Sequence, residues 1–234
     1  MIRITTNKKL IQRQSKIARY ATFAGLGVLL VSLISSFTNI SNIVFSYISL
    51  FIGLVFAYIG STLANKWIRE PRADKALEKG LKGFDNKHHL YNYLLPASHV
   101  LLAPSGLLIF LVKPLDGEII CRDDKWKRSW RWSRLFGGMG QEPLGNPSAD
   151  VAKEIQAMRA LIGESFNQVP MDGYAVFTDP KVTLNIENAA VPAVRVGDLK
   201  ETLRKAKRGP TLPSPLYERL EQVLDEQANA KTAQ

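Results

Sequence analysis

The chain has 234 residues, with 31 lysines and arginines, 21 aspartates and glutamates, and a net charge of +10. Its single cysteine, Cys121, excludes an intrachain disulfide and a cysteine-based metal site. The positive charge is uneven: residues 1–19 carry +6, residues 66–87 carry +3, and residues 88–234 carry only +1. Little of this charge is left for nucleic acid, so a general DNA-binding role is disfavoured.

The chain begins with a basic segment, residues 1–19, that we expect to be helical from Ile2 and cytoplasmic. An uncharged stretch follows, from Tyr20 to Asn65. One membrane crossing needs roughly 20 apolar residues, so this stretch is long enough for two. The sequence FTNISN, residues 37–42, divides it. Residues 20–65 are therefore predicted to be two transmembrane helices, with the lipid bilayer as the first partner of the protein.

Both flanks of this predicted hairpin are basic, whereas the FTNISN turn is uncharged. Basic residues mark the cytoplasmic ends of membrane spans. We therefore expect a two-pass protein of the bacterial inner membrane, with its N- and C-termini in the cytoplasm. Neither span contains an ionisable residue, which argues against a transporter or a pump.

Small residues recur at spacings of three and four along the second span: Gly53, Ala57, Gly60 and Ala64. Such residues allow helices to approach closely in lipid. They predict packing of the two spans against each other. A homodimer, or a larger membrane complex, formed through the same face is the alternative.

Behind the hairpin, the pattern predicts alternating helices and short strands. Three apolar runs separated by turn signals favour a three-stranded meander, at residues 98–102, 107–113 and 118–122. Further strands are predicted within residues 169–177 and 191–196, and helices at residues 73–82, 149–161, 198–206 and 216–227. The fold class is therefore α/β. We place one domain at residues 66–209, followed by a linker and a short C-terminal helix at residues 210–234.

The sequence SHVLLAPSGLLIFLVKPLDGEI, residues 98–119, resembles that of the NERD (nuclease-related) domain family. Residues that fall on the family's pattern are His99, Pro104, Gly106, Lys113, Gly117, Trp126, Asn146-Pro147 and Val176-Phe177-Thr178. The resemblance covers residues 73–205. It implies a restriction-endonuclease-like α/β core with a mixed sheet, of the type written PD-(D/E)XK.

The resemblance also implies a metal site, and two of its residues are missing here. The family's metal-binding Asp and Glu positions are occupied by Ser98 and Leu111, while its lysine is kept as Lys113. Hard cations such as Mg²⁺ need oxygen ligands, and leucine has none. We therefore expect a degenerate member without a catalytic residue, a metal or another cofactor. The alternative is a membrane-bound, Mg²⁺-dependent nuclease with relocated acids, for which Glu78, Asp116 and Glu118 are the candidates.

Basic and aromatic residues cluster in KWKRSWRWSR, residues 125–134. Tryptophan prefers the membrane interface, and lysine and arginine favour anionic lipid. The same residues suit single-stranded nucleic acid, on which tryptophan stacks. In a third, structural interpretation, Trp126 packs on the core with Trp130 or Trp132. The candidate membrane-surface residues are Lys125, Trp126, Lys127, Arg128, Trp130, Arg131, Trp132 and Arg134.

Together these observations predict a membrane-anchored pseudoenzyme: a nuclease-like domain that binds, scaffolds or serves as an accessory subunit at the cytoplasmic membrane face. The identity of its partner is not encoded in any motif that we recognise.

Overall fold

The computed structural model describes residues 1–38, 43–129, 141–206 and 210–233 of the chain. The chain divides into two compact units. The hairpin unit comprises Lys8–Arg72 and Arg131–Glu142. The α/β unit comprises Met1–Asn7, Ala73–Trp130 and Pro143–Gln234.

The hairpin unit contains two long helices, α1 (Lys8–Thr38) and α2 (Ile43–Trp67). Both are long and apolar enough to span a membrane, over Lys8–Phe37 and Val44–Trp67. Many of their large side chains are exposed, including Phe23 at 70% and Phe51 at 68%. Two apolar helices at the predicted place are therefore present, and α1 extends back through the basic residues to Lys8.

The small residues of α2 lie where the two helices approach each other. A Cβ atom added to Gly60 would lie 2.5 Å from Thr22 Oγ1, and one added to Gly53 would lie 2.7 Å from Leu29. A Cβ atom added to Gly25 of α1 would lie 2.7 Å from the backbone nitrogen of Ala57. Ala64 is half-buried. These contacts join α1 to α2 within one chain, which is the arrangement that we predicted for the packing of the two spans.

The N-terminal residues do not form the helix predicted from Ile2. Instead, Arg3–Thr6 is a strand, β1, which pairs in parallel with β2 (His89–Asn92). Ile2 is buried in the α/β unit and contributes to its core. The helical prediction failed here because strand pairing with a segment more than 80 residues away outweighed the local preference of a basic sequence.

A six-stranded mixed sheet forms the centre of the α/β unit, with strand order β1-β2-β3-β4-β7-β9. Strand β3 is antiparallel to both of its neighbours, β2 and β4, whereas β4, β7 and β9 are parallel. The remaining four strands of this sheet are β3 (His99–Ala103), β4 (Gly106–Lys113), β7 (Met171–Phe177) and β9 (Ala193–Arg195). The predicted α/β class with a mixed sheet is confirmed.

A second sheet of three strands has the order β6-β5-β8. Its strands are β5 (Gly117–Arg122), β6 (Lys125–Arg128) and β8 (Val182–Glu187). The predicted three-stranded meander is therefore wrong in its third strand. Strands β3 and β4 form the expected hairpin, but β5 pairs with β6 and β8 instead of β4. Hairpin spacing in the sequence cannot distinguish continuation of one sheet from a change of sheet.

Helices cover both faces of the large sheet. Helices α4 (Pro147–Ile162) and α6 (Ser214–Ala233) pack over one apolar cluster, and α3 (Ala73–Gly80) and α5 (Leu199–Lys205) pack over the other. Helix α4 begins at Pro147, two residues before the predicted range, and the Asn146 side chain caps it by accepting a hydrogen bond from the Ala149 N–H at 3.2 Å. Asp198 precedes α5, but its side chain pairs with Arg195 and does not cap the helix.

Candidate functional site

Alternation along β4 decides which of its residues face α4. Leu107 and Ile109 belong to the cluster under α4, whereas Phe110 belongs to the cluster under α3. Successive strand residues point to opposite faces, so Leu111 and Lys113 share the α4 face. Lys113 ends the strand, and its side chain is only 10% exposed.

Ser98 immediately precedes β3, and Leu111 lies in β4, the strand that pairs with β3. The paired register ends at Val100 and Ile109, two residues short of each position. The positions of the two missing acids are therefore at the same end of the β3–β4 hairpin, with Lys113 two residues beyond Leu111. The side chains present there are a hydroxyl, an aliphatic group and an ammonium group.

Helix α4 brings two carboxylates to this place. Asp150 and Glu154 are one helical turn apart, so they share a helix face. Asp150 Oδ2 lies 3.5 Å from Lys113 Nζ, with the Asp150 side chain 38% exposed. The carboxylate of Glu154 accepts hydrogen bonds from the Ser98 backbone and hydroxyl.

Glu154 is the most perturbed acid of this group. Burial raises its pKa to about 7, and the nearby charge of Asp150 adds to the rise, while the Ser98 hydrogen bonds and Lys113 oppose it. Its Oε2 atom is buried and has no hydrogen-bond partner among the described residues. Such a carboxyl changes its protonation state near neutral pH, and a strongly shifted acid in this position is a candidate functional group.

Comparison with known families decides what this domain is. Residues 66–178 match the sequence model of NERD, described as a nuclease-related domain. This stretch is a nuclease-related domain. The match contains Ser98, Leu111, Lys113 and the acids Asp150 and Glu154. No curated protein and no solved structure matches the chain significantly.

The divalent cation of the nuclease core does not fit the two strand positions of this nuclease-related domain. Such an ion needs several oxygen ligands, preferably carboxylates. Leu111 offers none, and Ser98 offers only a neutral hydroxyl oxygen, a weaker ligand than a carboxylate. Any cation held here would have to use the helix-borne acids.

The acids that we predicted as replacements have other surroundings. Glu78, on α3, pairs with Lys75 at 2.8 Å. Asp116 pairs with Arg128. Glu118 belongs to β5, in the smaller sheet. None of these interactions joins them to Ser98 or Lys113 in the part of the chain that the structure describes.

Sequence reasoning overlooked Asp150 and Glu154, although a signal for them existed. The apolar stripe of α4 runs through Val151, Ile155 and Met158, and both acids immediately precede members of that stripe. Acids beside a buried stripe and one turn apart are expected at a helix–sheet boundary. The sequence does not specify which strand the helix packs against, so it could not place these acids beside Lys113.

The basic and aromatic segment of the nuclease-related domain is only partly described. Trp126 is half-buried against the core, and its Nε1 donates to Ser148 Oγ at 3.1 Å and to Asp124 Oδ1 at 3.2 Å. Arg128 pairs with Asp116, so it also has an internal partner. Lys125 and Lys127 are exposed. Trp126 therefore packs on the core as in the structural interpretation, whereas Arg128 is paired internally and not solvated. The other four predicted surface residues lie outside the described residues: Trp130, Arg131, Trp132 and Arg134.

Proposed function

We propose that this protein is a membrane-anchored, non-catalytic nuclease-related domain that works as a binding or scaffold subunit at the cytoplasmic face of a bacterial inner membrane. The observation that carries the proposal is that Ser98 and Leu111 stand at the positions of the family's two metal-binding acids, at the end of the β3–β4 hairpin near Lys113.

The membrane part of the proposal is supported by the surface of the hairpin unit. Its two helices expose many large apolar side chains, which is rare on soluble proteins and expected against lipid. Chain connectivity supports the topology. Strand β1 precedes the hairpin and pairs with β2, which follows it, so the chain leaves and re-enters one sheet. Both ends of the hairpin should therefore be on the same side of the bilayer, and the basic flanks favour the cytoplasmic side.

The loss of catalysis is supported by how the remaining polar groups are used. Lys113 forms an ion pair with Asp150, and Glu154 binds the Ser98 hydroxyl. A carboxyl group with a pKa of about 7 is partly protonated at neutral pH, so it is a poor ligand for a hard cation until a metal displaces that proton.

The test is a nuclease assay on the full chain, purified in detergent, with Mg²⁺ and with Mn²⁺. Linear duplex DNA, single-stranded DNA and RNA would serve as substrates, and Lys113→Ala as the matched background. We expect no cleavage above that background. Metal-dependent cleavage by the wild type that disappears in Lys113→Ala would refute the proposal.

A second candidate function is a nuclease whose acids come from α4. Asp150 and Glu154 favour it, because together with Lys113 they restore two carboxylates and one lysine to the same face of the sheet. In this case, the wild type would cleave, whereas Asp150→Asn and Glu154→Gln would each lose activity. Glu118→Gln, in the smaller sheet, would keep it.

The partner should be sought in the native membrane. The proteins that copurify with the wild type would be compared with those that copurify with a chain whose hairpin is replaced by an unrelated two-span hairpin. This comparison distinguishes partners of the domain from partners of the helices. We expect the domain to retain its partner in this exchange. Loss of every specific partner on exchanging the hairpin would assign recognition to the helices instead.

A further inference from the structure

A second polar cluster lies outside the site around Lys113, where β1, β2 and α6 meet. It contains His89 of β2 together with Glu221 and Asp225, which are one turn apart on α6. The Nδ1 atom of His89 is 3.3 Å from Glu221 Oε1 and 3.9 Å from Asp225 Oδ1. One ligand atom from each residue lies within 4.8 Å of the other two.

We propose that His89, Glu221 and Asp225 bind a divalent transition-metal ion, for which Zn²⁺ is the appropriate probe. Zinc bonds to nitrogen and oxygen of roughly 2.0–2.2 Å in a tetrahedron place neighbouring ligand atoms about 3.3–3.5 Å apart. The His89–Glu221 pair already has this separation, and Asp225 needs to approach by about half an ångström. One imidazole and two carboxylates suit zinc, while Mg²⁺ prefers oxygen ligands alone.

The orientation of His89 supports this role. Its other ring nitrogen, Nε2, is hydrogen-bonded to Thr5 Oγ1 at 2.8 Å. In the metal-free protein the Glu221 carboxylate can only accept, so Nδ1–H donates to it and Thr5 Oγ1 donates to Nε2. The threonine hydroxyl can also accept, so it can hold the tautomer with the proton on Nε2 when a metal takes the Nδ1 lone pair.

The exposure and charge of the cluster are also suitable. The His89 side chain is 8% exposed, Glu221 is 18% exposed and Asp225 is 45% exposed, so the cluster has a buried end and an end open to solvent. Arg3 pairs with Glu221, and Tyr91 donates to Asp225 Oδ1 at 2.7 Å. One arginine faces two carboxylates, which leaves a negative charge for a cation to neutralise. Arg3 competes for Glu221, so the affinity is expected to be moderate.

The cluster is a feature of this chain beyond the family match. Arg3, Thr5, Glu221 and Asp225 all lie outside residues 66–178. A bound metal would fasten the C-terminal helix to β2, beside the N-terminal strand that supplies Thr5 and Arg3. A purely structural hydrogen-bond network could make the same connection, so the test must detect the ion itself.

The experiment is calorimetric titration of Zn²⁺ into the full chain, purified in detergent without a polyhistidine tag and stripped with a chelator. We expect one equivalent to bind with micromolar affinity or tighter, and Mg²⁺ at the same concentration not to displace it. Absence of zinc binding by the wild type would overturn the proposal, regardless of how any variant folds.

Variants assign the ion to this cluster. Glu221→Gln and His89→Gln are each expected to weaken binding at least tenfold, and Thr5→Val about tenfold through the loss of the group that orients His89. Glu218→Gln is the matched control, because Glu218 is an exposed glutamate one turn away on the same helix. Circular dichroism would verify that each variant is folded. Zinc binding that is unchanged in folded Glu221→Gln, or lost equally in Glu218→Gln, would overturn the assignment.

Discussion

The replacement Glu154→Gln should change how the stability of the protein depends on pH. In the folded state burial raises the pKa of Glu154 to about 7, whereas an unperturbed glutamate has a value of 4.5. Below pH 4.5 the carboxyl is protonated in both states. Between pH 4.5 and 7 the unfolded chain ionises first, so wild-type stability falls as the pH rises through this window. Above pH 7 both states are ionised, and the loss is complete.

The size of the effect follows from the shift. The difference between pKa values of 4.5 and about 7 corresponds to about 3–4 kcal/mol in the free energy of unfolding, at about 1.4 kcal/mol per pKa unit. For a chain of this size 1 kcal/mol changes the midpoint of thermal unfolding by about 2–4 °C. The midpoint of thermal unfolding of the wild type should therefore fall by about 6–16 °C relative to that of Glu154→Gln between pH 4.5 and pH 8, as an upper estimate.

Thermal unfolding of the two proteins in one detergent, at half-unit pH steps, measures this difference. Subtracting the curves removes every titrating group that the proteins share. Glu164→Gln is the control, because Glu164 is an exposed carboxylate just after α4. A difference between wild type and Glu154→Gln that stays constant from pH 4.5 to pH 8 would refute the reasoning, as would an equal slope in Glu164→Gln.

Two further predictions concern the hairpin. Gly60→Ala should lower thermal stability by about 1–3 kcal/mol through overpacking, because the added Cβ meets α1 at 2.5 Å, whereas Gly27→Ala meets nothing within 4 Å and should be neutral or stabilising. Equal effects of the two substitutions on the unfolding midpoint would contradict the observed helix contact. In a Cys121→Ser background, an impermeant thiol reagent applied to spheroplasts should label Ser41→Cys but not Ser165→Cys. The reverse labelling would place the domain outside the cytoplasm.

Much of the fold was readable from local patterns. The uncharged stretch from Tyr20 to Asn65 predicted two apolar helices, because the length of a span follows from the thickness of a bilayer. The runs that became β3 and β4 and the Asn146-Pro147 start of α4 were also readable, since alternation and capping depend on neighbours in the chain. The family resemblance at residues 98–119 was confirmed by the match over residues 66–178.

Tertiary structure decided what depends on contacts between distant segments. Strand β1 forms because Arg3–Thr6 pairs with the strand His89–Asn92. Strand β5 belongs to the smaller sheet because it pairs with β6 and β8. The acids beside Lys113 were identified only when α4 was placed on the sheet, since Asp150 is 37 residues further along the chain. By itself, the sequence showed that neither Ser98 nor Leu111 supplies a carboxylate. Which carboxylates lie near Lys113 in space was determined by packing, because a sequence pattern specifies the face of an element but not the element that packs against it.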